Sequence, residues 1–160
     1  MNILALGQIS LGLHTRDYYV EQSEEMKKIR SGYEAYLVRV LTLAGYSTSE
    51  AQRIARNTLK LETELAQFSY SNTELRDTER NYNIQRIQEF AQQNTGFDWM
   101  GYFQARGLVL ESANFSQLDF FKAFDKWYAG VAFEELRDFL VARSVSGAAD
   151  ALSDEFVEAK

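Results

Sequence analysis

A mostly α, multi-helix domain with antiparallel helical hairpins and one short two-stranded β pairing is the fold class this sequence predicts. Three observations predict it. Apolar residues recur at three- and four-residue steps over most of the chain. Ser-x-x-acid patterns and glycines punctuate those runs where helices should start and stop. Hydrophobic residues make up 46% and aromatics 14% of 160 residues, enough for a packed core.

The first dozen residues, MNILALGQISLG, mix β-branched and small side chains with two glycines and read as an extended segment followed by a turn. From Glu24 the character changes. Met26, Ile29, Tyr33, Leu37, Val40, Leu41 and Ala44 form one apolar face of a long helix that Gly45 should stop. Ser47 and Glu50 then make a capping-box pattern. The helix after it is expected to bury Ala51, Ile54, Thr58, Leu61, Leu65 and Phe68 and to turn Arg53, Arg56, Lys60, Glu62 and Gln67 to water. The short turn between the two helices predicts an antiparallel hairpin.

Residues 69–83, SYSNTELRDTERNYN, break the periodicity and read as a loop. Asn83 is placed to cap a short helix holding Ile84, Ile87 and Phe90, and Asp98 to cap one holding Trp99, Tyr102 and Phe103, which Gly107 ends. LVLES (108–112) alternates and is expected to pair as a strand with residues near 3–8. Ser116 and Asp119 suggest another capping box, before a helix with Leu118, Phe121, Phe124 and Tyr128 on one side and an interruption at Gly130. The last helix starts near Phe133 with Leu136, Phe139, Leu140 and Val141 as core candidates, and GAADALSDEFVEAK should continue it with a bend near Gly147. Five to seven helices in one domain spanning 1–160 is the expected organisation.

Composition excludes several classes of function. The 23 acidic and 17 basic side chains give a net charge of −6, the wrong balance for nucleic-acid binding. No run approaches the length of about 20 apolar residues that a membrane-spanning helix needs. No basic region precedes the apolar start, which therefore reads as structure and not as a signal peptide. With no cysteine there is no disulfide, no thiolate metal ligand and no cysteine nucleophile.

The one histidine, His14, cannot by itself make an HExxH zinc motif, and no Glu-x-x-His, Gly-x-Ser-x-Gly, GxGxxG or Walker pattern occurs. The carboxylate pairs Glu24–Glu25, Glu62–Glu64, Glu134–Glu135 and Asp154–Glu155 are read as solvated helix faces. Asp17 is placed to cap a helix start and Arg16 to brace loop carbonyls. The aromatic set Trp99, Tyr102, Phe103, Phe120, Phe121, Phe124, Trp127 and Tyr128 is read mainly as core. A hydrophobic groove for a peptide is the sharper alternative, because Phe120–Phe121 and Trp127–Tyr128 reach around more than one side of a helix.

Four segments together carry a resemblance. LGQISLGLHTRDYY resembles the Gly-Leu-Gly-Leu-Pro-x-Arg-Asp-Tyr-Tyr signature of the neprilysin family of zinc metallopeptidases, which includes bacterial PepO-type oligopeptidases. TELRDTERNYN resembles that family's Arg-Asp-Pro-x-x-x-Tyr-Asn segment, and FDWMGYFQARGL and LSDEFVEAK resemble helical stretches that follow in the same order. Gly12, Leu13, Arg16, Asp17, Tyr18 and Tyr19 match the first motif, and Arg76, Asp77, Tyr82 and Asn83 the second. His14, Thr78 and Ala113 stand where members often have proline, which suggests looser loops. SANFS (112–116) reverses the Asn and Ala of the family's Asn-Ala-aromatic substrate motif, so it does not match that motif.

The resemblance implies the N-terminal, helical region of a longer peptidase whose zinc ligands and catalytic glutamate lie downstream. No catalytic or metal residue is therefore carried over to this chain, and no cofactor is expected in it; zinc belongs to the catalytic half. The implied role is a non-catalytic cap that gates peptide substrates, with the C-terminal catalytic half of its own polypeptide and the peptide substrates of that enzyme as partners. The cysteine-free pattern resembles bacterial members, which implies a periplasmic, cell-envelope or secreted location. The rival reading is a stand-alone helical protein-interaction module without enzymatic activity. If the cap normally packs on a catalytic half, its orphaned apolar surface should drive self-association of the isolated chain.

Overall fold

The computed structural model describes residues 3–159, apart from the side chain of residue 150. Met1, Asn2 and Lys160, at the ends of the terminal segments read above, lie outside the described residues. The elements run β1 (Ala5–Leu6), α1 (Asp17–Val20), α2 (Glu24–Leu43), α3 (Thr48–Phe68), α4 (Asn72–Leu75), β2 (Ile84–Arg86), α5 (Ile87–Gln93), α6 (Trp99–Ala105), β3 (Ser112–Phe115), α7 (Leu118–Gly130), α8 (Phe133–Ala148), a 3-10 turn (Ala149–Ala151) and α9 (Asp154–Val157). The mostly α class is as predicted. The described residues hold nine α-helices rather than five to seven, because α1, α4 and α9 are single turns.

The chain packs as two compact units. One comprises the chain up to Ser10 and Phe68–Val131; the other comprises Leu11–Gln67 and the chain from Ala132 onward.

In the second unit, α2 and α3 form the expected hairpin. Gly45 takes φ 96° at the turn, the left-handed conformation that glycine adopts without strain. The Ser47–Glu50 box is formed: the Ser47 N–H donates to Glu50 at 3.0 Å and the Glu50 N–H to the Ser47 hydroxyl at 3.4 Å. Tyr33, Leu37 and Leu41 of α2 pack with Ala51, Ile54 and Ala55 of α3 and Ala142 of α8. On α8 the inward side is Asp138, Phe139 and Ala142. Of the expected core residues there, Phe139 is buried, but Leu140 is 55% exposed. This helix is apolar on more than one side, so periodicity could not single out its buried face. The helical run continues through Gly147. It passes into the 3-10 turn after Ala148 and breaks at Leu152, which is extended.

The first unit is built on a three-stranded sheet of order β1-β3-β2. β1 runs parallel to β3 with Ala5 opposite Asn114, and β2 antiparallel with Gln85 opposite Ala113. The N-terminal segment thus pairs as a strand, but its partner begins at Ser112, where the expected strand 108–112 ends. In β3 the alternation that counts is Ala113 and Phe115, both fully buried, whereas Val109 is 99% exposed. β2 corrects a further reading. Ile84 belongs to a strand, and α5 begins only at Ile87, with Arg86 and not Asn83 at its N-cap. The segment read as a loop contains α4, closed by a Ser71–Glu74 capping box.

Asp98 does cap α6, accepting the Gly101 N–H at 2.8 Å, and Gly107 follows the helix with φ 66°. The box expected of Ser116 and Asp119 is absent, since α7 has Gln117 at its N-cap without a side-chain bond. Ile87, Phe90, Trp99, Phe103, Ala113, Phe115, Phe120 and Phe121 form the core. Within it, Phe90 stacks on Phe115 at 4.1 Å between centroids, and Trp99 meets both edge-on. Of the aromatic set, Trp99, Phe103, Phe120 and Phe121 are therefore core, as read, with Phe124 packed against them, whereas Tyr102 is exposed and Trp127 and Tyr128 are half-buried.

Candidate functional site

The first motif folds as a tight turn leading into α1. The His14 N–H donates to the Leu11 carbonyl at 3.1 Å and the Thr15 N–H to that of Leu13 at 2.7 Å. His14 carries φ 64°. A proline ring holds φ near about −65°, so this backbone excludes the proline that relatives often have there.

What fixes the turn is a glutamate that the sequence reading turned to water. Glu62 of α3 is completely buried. Its Oε1 accepts the Gly12 N–H at 3.0 Å and the Tyr33 hydroxyl at 3.3 Å, and its Oε2 accepts the Tyr19 hydroxyl at 2.8 Å. The Tyr19 oxygen in turn accepts the Leu13 N–H at 2.9 Å. Arg143 of α8 stands 3.5 Å from Oε1, at the outer limit of hydrogen bonding.

Burial raises the proton affinity of Glu62, and the donors around it offset this only in part. Burial, followed by the adjacent Glu62 charge, pushes both Tyr19 and Tyr33 up, so the phenols remain donors at ordinary pH. Gly12 is required by space: a Cβ there would run into the Tyr33 phenol. A sequence signal for Glu62 did exist. Ala51, Ala55, Thr58, Glu62 and Leu65 fall on one heptad-spaced stripe of α3, all buried.

The other residues of this motif divide by role. Tyr19 is core, whereas Leu13, Arg16, Asp17 and Tyr18 are half-buried. The capping expected of Asp17 is not realised, because Arg16 is the N-cap of α1 and no side chain caps it. Arg30 of α2 braces the carbonyls of Tyr18 and Glu21, at 2.7 and 2.9 Å. A second buried acid, Asp138, binds Arg53 and accepts from Asn57 at 2.8 Å, tying α8 to α3.

The second motif lies in the other unit and does not join this cluster. Arg76 ends α4, the Asp77 carboxylate accepts the Arg80 N–H at 3.0 Å, and Tyr82 is 69% exposed. Asn83 is the structural member. Its N–H donates to the Asn114 side chain at 2.6 Å, and its amide group donates to the carbonyls of Arg80 and Ser116 at 2.7 and 3.0 Å. Asn114 of the SANFS segment thus serves the sheet. In the same unit, Asp125 of α7 accepts the Gly96 and Phe97 N–H groups, each at 3.0 Å, and the Trp99 indole at 2.8 Å. A Cβ on Gly96 would meet the Asp125 backbone. The sequence offered no local cue for this lock, since Asp125 and Gly96 are distant along the chain.

Over the Leu11–His14 turn lies a cavity of about 440 Å³ whose walls include Leu13, His14, Tyr33, Tyr36 and Arg143. Glu62 beneath it cannot act on a bound molecule, because it is sealed from solvent and its oxygens already face four donors. Among the described residues no group of three or more His, Cys, Asp or Glu is arranged to hold a metal ion. No helix among them is long and apolar enough to cross a membrane. The arrangement is suited to holding a turn, an entering helix and two long helices in fixed register.

The model of the N-terminal part of a family described as Peptidase family M13 matches residues 1–160. Endothelin-converting enzyme 1 of Homo sapiens is 30% identical over 102 residues, which are 63% of this chain and 13% of that enzyme. Its Rattus norvegicus counterpart is 29% identical over 105 residues. Among solved structures, the Mycobacterium tuberculosis zinc metalloprotease ZMP1 in complex with inhibitor shares the fold with a TM-score of 0.88 at 23% identity, over 97% of this chain and 24% of that one. The same protease in its open state gives 0.85. This chain therefore spans about a quarter of that protease and a smaller share of the curated relatives. With the family match running over every residue, the chain belongs to peptidase family M13.

Proposed function

We propose that this chain is the non-catalytic cap segment of a bacterial, PepO-like zinc metalloendopeptidase, limiting which peptides reach a catalytic half carried elsewhere on the same polypeptide. The observation that carries the reading is the family match over 1–160, joined to a fold in which the buried acids Glu62, Asp125 and Asp138 serve as internal locks. The physical work of a cap is gating and exclusion of water, which asks for rigid helices and anchored turns rather than nucleophiles. In the whole enzyme the zinc would supply the activated water, and nothing in this chain would take part in that step. The partners are then the catalytic half and peptide substrates. A periplasmic, cell-envelope or secreted location belongs to the same proposal and rests on the family resemblance.

Two measurements test it. The purified chain should cleave no peptide and bind no stoichiometric zinc. The native polypeptide containing it should show chelator-sensitive endopeptidase activity whose upper limit of substrate size rises when the cap is destabilised. Zinc-dependent cleavage by the 160 residues alone would defeat the reading. A native polypeptide without a catalytic half would favour the stand-alone interaction module. Cell fractionation followed by activity assay tests the location.

A further inference from the structure

A hollow of about 790 Å³ opens on the first unit, between α5, the 95–98 connection, the start of α6 and Tyr128 of α7. That volume is in the range that holds a ligand. Phe97, Trp99 and Tyr128 give it an apolar corner, with the Phe97 and Tyr128 rings edge to face at 5.0 Å between centroids and 83°. Its rim carries the exposed amides of Gln88 and Gln92. The wall at Gly96 and Phe97 is held in place, because both N–H groups donate to Asp125 at 3.0 Å. A wall fixed before binding leaves little to order on binding.

Spacing says what the amides fit. Gln88 and Gln92 stand one helical turn apart on α5, which puts their stems about 5–6 Å apart. An extended peptide presents an N–H and a C=O on one side at every second residue, a repeat of about 6.6 Å. Each glutamine amide offers both a donor and an acceptor. The pair can therefore meet alternate residues of an extended chain, with the long side chains absorbing the difference. Gln88, Gln92 and Met100 also border a second hollow of about 380 Å³, so a linear ligand lying along the amides has room on either side.

Charge sets the sign. Asp98, Glu89 and Glu111 border the two hollows against one guanidinium, Arg86. Arg86 is already paired, with Glu89 at 3.3 Å and Glu111 at 2.9 Å. The excess is acidic, which favours basic side chains in a ligand and disfavours acidic ones.

We propose that this groove binds an extended, basic peptide segment, with Gln88 and Gln92 on its backbone and the Phe97–Tyr128 corner taking an apolar side chain. The inference goes beyond the cap reading and does not need it: it is read as binding by the purified chain, whereas the cap reading is read as cleavage by the native polypeptide.

Calorimetric titration of the whole chain uses four probes: the end-capped peptide Lys-Ala-Phe-Ala-Lys, the same peptide N-methylated at both alanines, Glu-Ala-Phe-Ala-Glu, and maltotetraose. The basic peptide should bind at least about 10-fold more tightly than its N-methylated form, which lacks the alternate N–H donors. It should also bind several-fold more tightly than the acidic peptide, by a margin that shrinks as salt is raised. The Gln88→Ala/Gln92→Ala variant should lose at least about 10-fold in affinity and no longer separate the peptide from its N-methylated form. Both positions are exposed on a helix and alanine is the stronger helix former, so the melting temperature should be unchanged or raised. Absence of peptide binding, equal affinity for the N-methylated peptide, preference for the acidic peptide, undiminished binding by the variant, or binding of maltotetraose in place of the peptide would overturn the proposal.

Discussion

The two units solve one problem with different donors. In each, a buried helical acid captures the backbone N–H of a glycine in a turn remote in sequence: Glu62 takes Gly12, and Asp125 takes Gly96. In each, the glycine is needed because a Cβ would strike the partner's side of the lock, the Tyr33 phenol in one and the Asp125 backbone in the other. They differ in what completes the shell. Asp125 faces three N–H donors, one of them the indole of the core residue Trp99. Glu62 has one N–H, two phenols and a guanidinium at arm's length, and burial raises its proton affinity despite them. The Asp125 shell is made of fixed N–H donors, two of them on one turn, whereas the Glu62 shell relies on hydroxyls that can turn to suit either form of the acid.

The largest test of that contrast is Asp125→Ala. It strands two backbone amides and an indole N–H in an apolar core, and should destabilise the chain by roughly 3–4 kcal/mol in urea unfolding followed by Trp fluorescence. Gly12→Ala should cost about 2 kcal/mol by overpacking against Tyr33. Trimming that clash in the Gly12→Ala/Tyr33→Phe double variant should recover part of the loss, a coupling that a double-mutant cycle measures directly.

Glu62→Gln tests the raised proton affinity of Glu62. The folded state holds the Glu62 proton more tightly than the unfolded chain does. The stabilisation this gives is complete below the ordinary carboxylate range and is lost as pH rises through the higher folded-state value. Wild-type stability relative to Glu62→Gln should therefore fall as pH is raised through that window, read from paired urea curves; a difference that grows with pH would contradict the assignment. The smallest effect belongs to Tyr82→Ala. This motif residue is mostly exposed, and its loss should change stability by less than about 0.5 kcal/mol.

Helix faces and their punctuation were legible wherever the cause is local. The α2 stripe, the Ser47–Glu50 box, the Asp98 cap and the stops at Gly45 and Gly107 all follow from spacing or from φ preferences within a few residues. The errors share a different cause. Ile84 and Asn114 belong to strands only because β2 and β1 both pair with β3 across long stretches of chain. Glu62 was assigned to water on residue type, although its position on the buried stripe of α3 argued otherwise. On α8 the buried face carries an aspartate and the exposed face Phe133 and Leu140, so polarity misdirects. The same holds for the first motif. Its histidine drew attention as chemistry, but the working contacts are the backbone of Gly12 and Leu13 and the phenol of Tyr19, two of which have no side-chain signature at all.

The central claim, that Glu62 anchors the Gly12–His14 turn, is tested most directly by amide hydrogen exchange at Gly12 in the wild-type chain and in Glu62→Ala. The Gly12 amide should be protected in the wild type and exchange freely in the variant, with Gly96 remaining protected in both. A Gly12 amide that exchanges freely in the wild-type chain, or stays protected without the Glu62 carboxylate, would contradict the account.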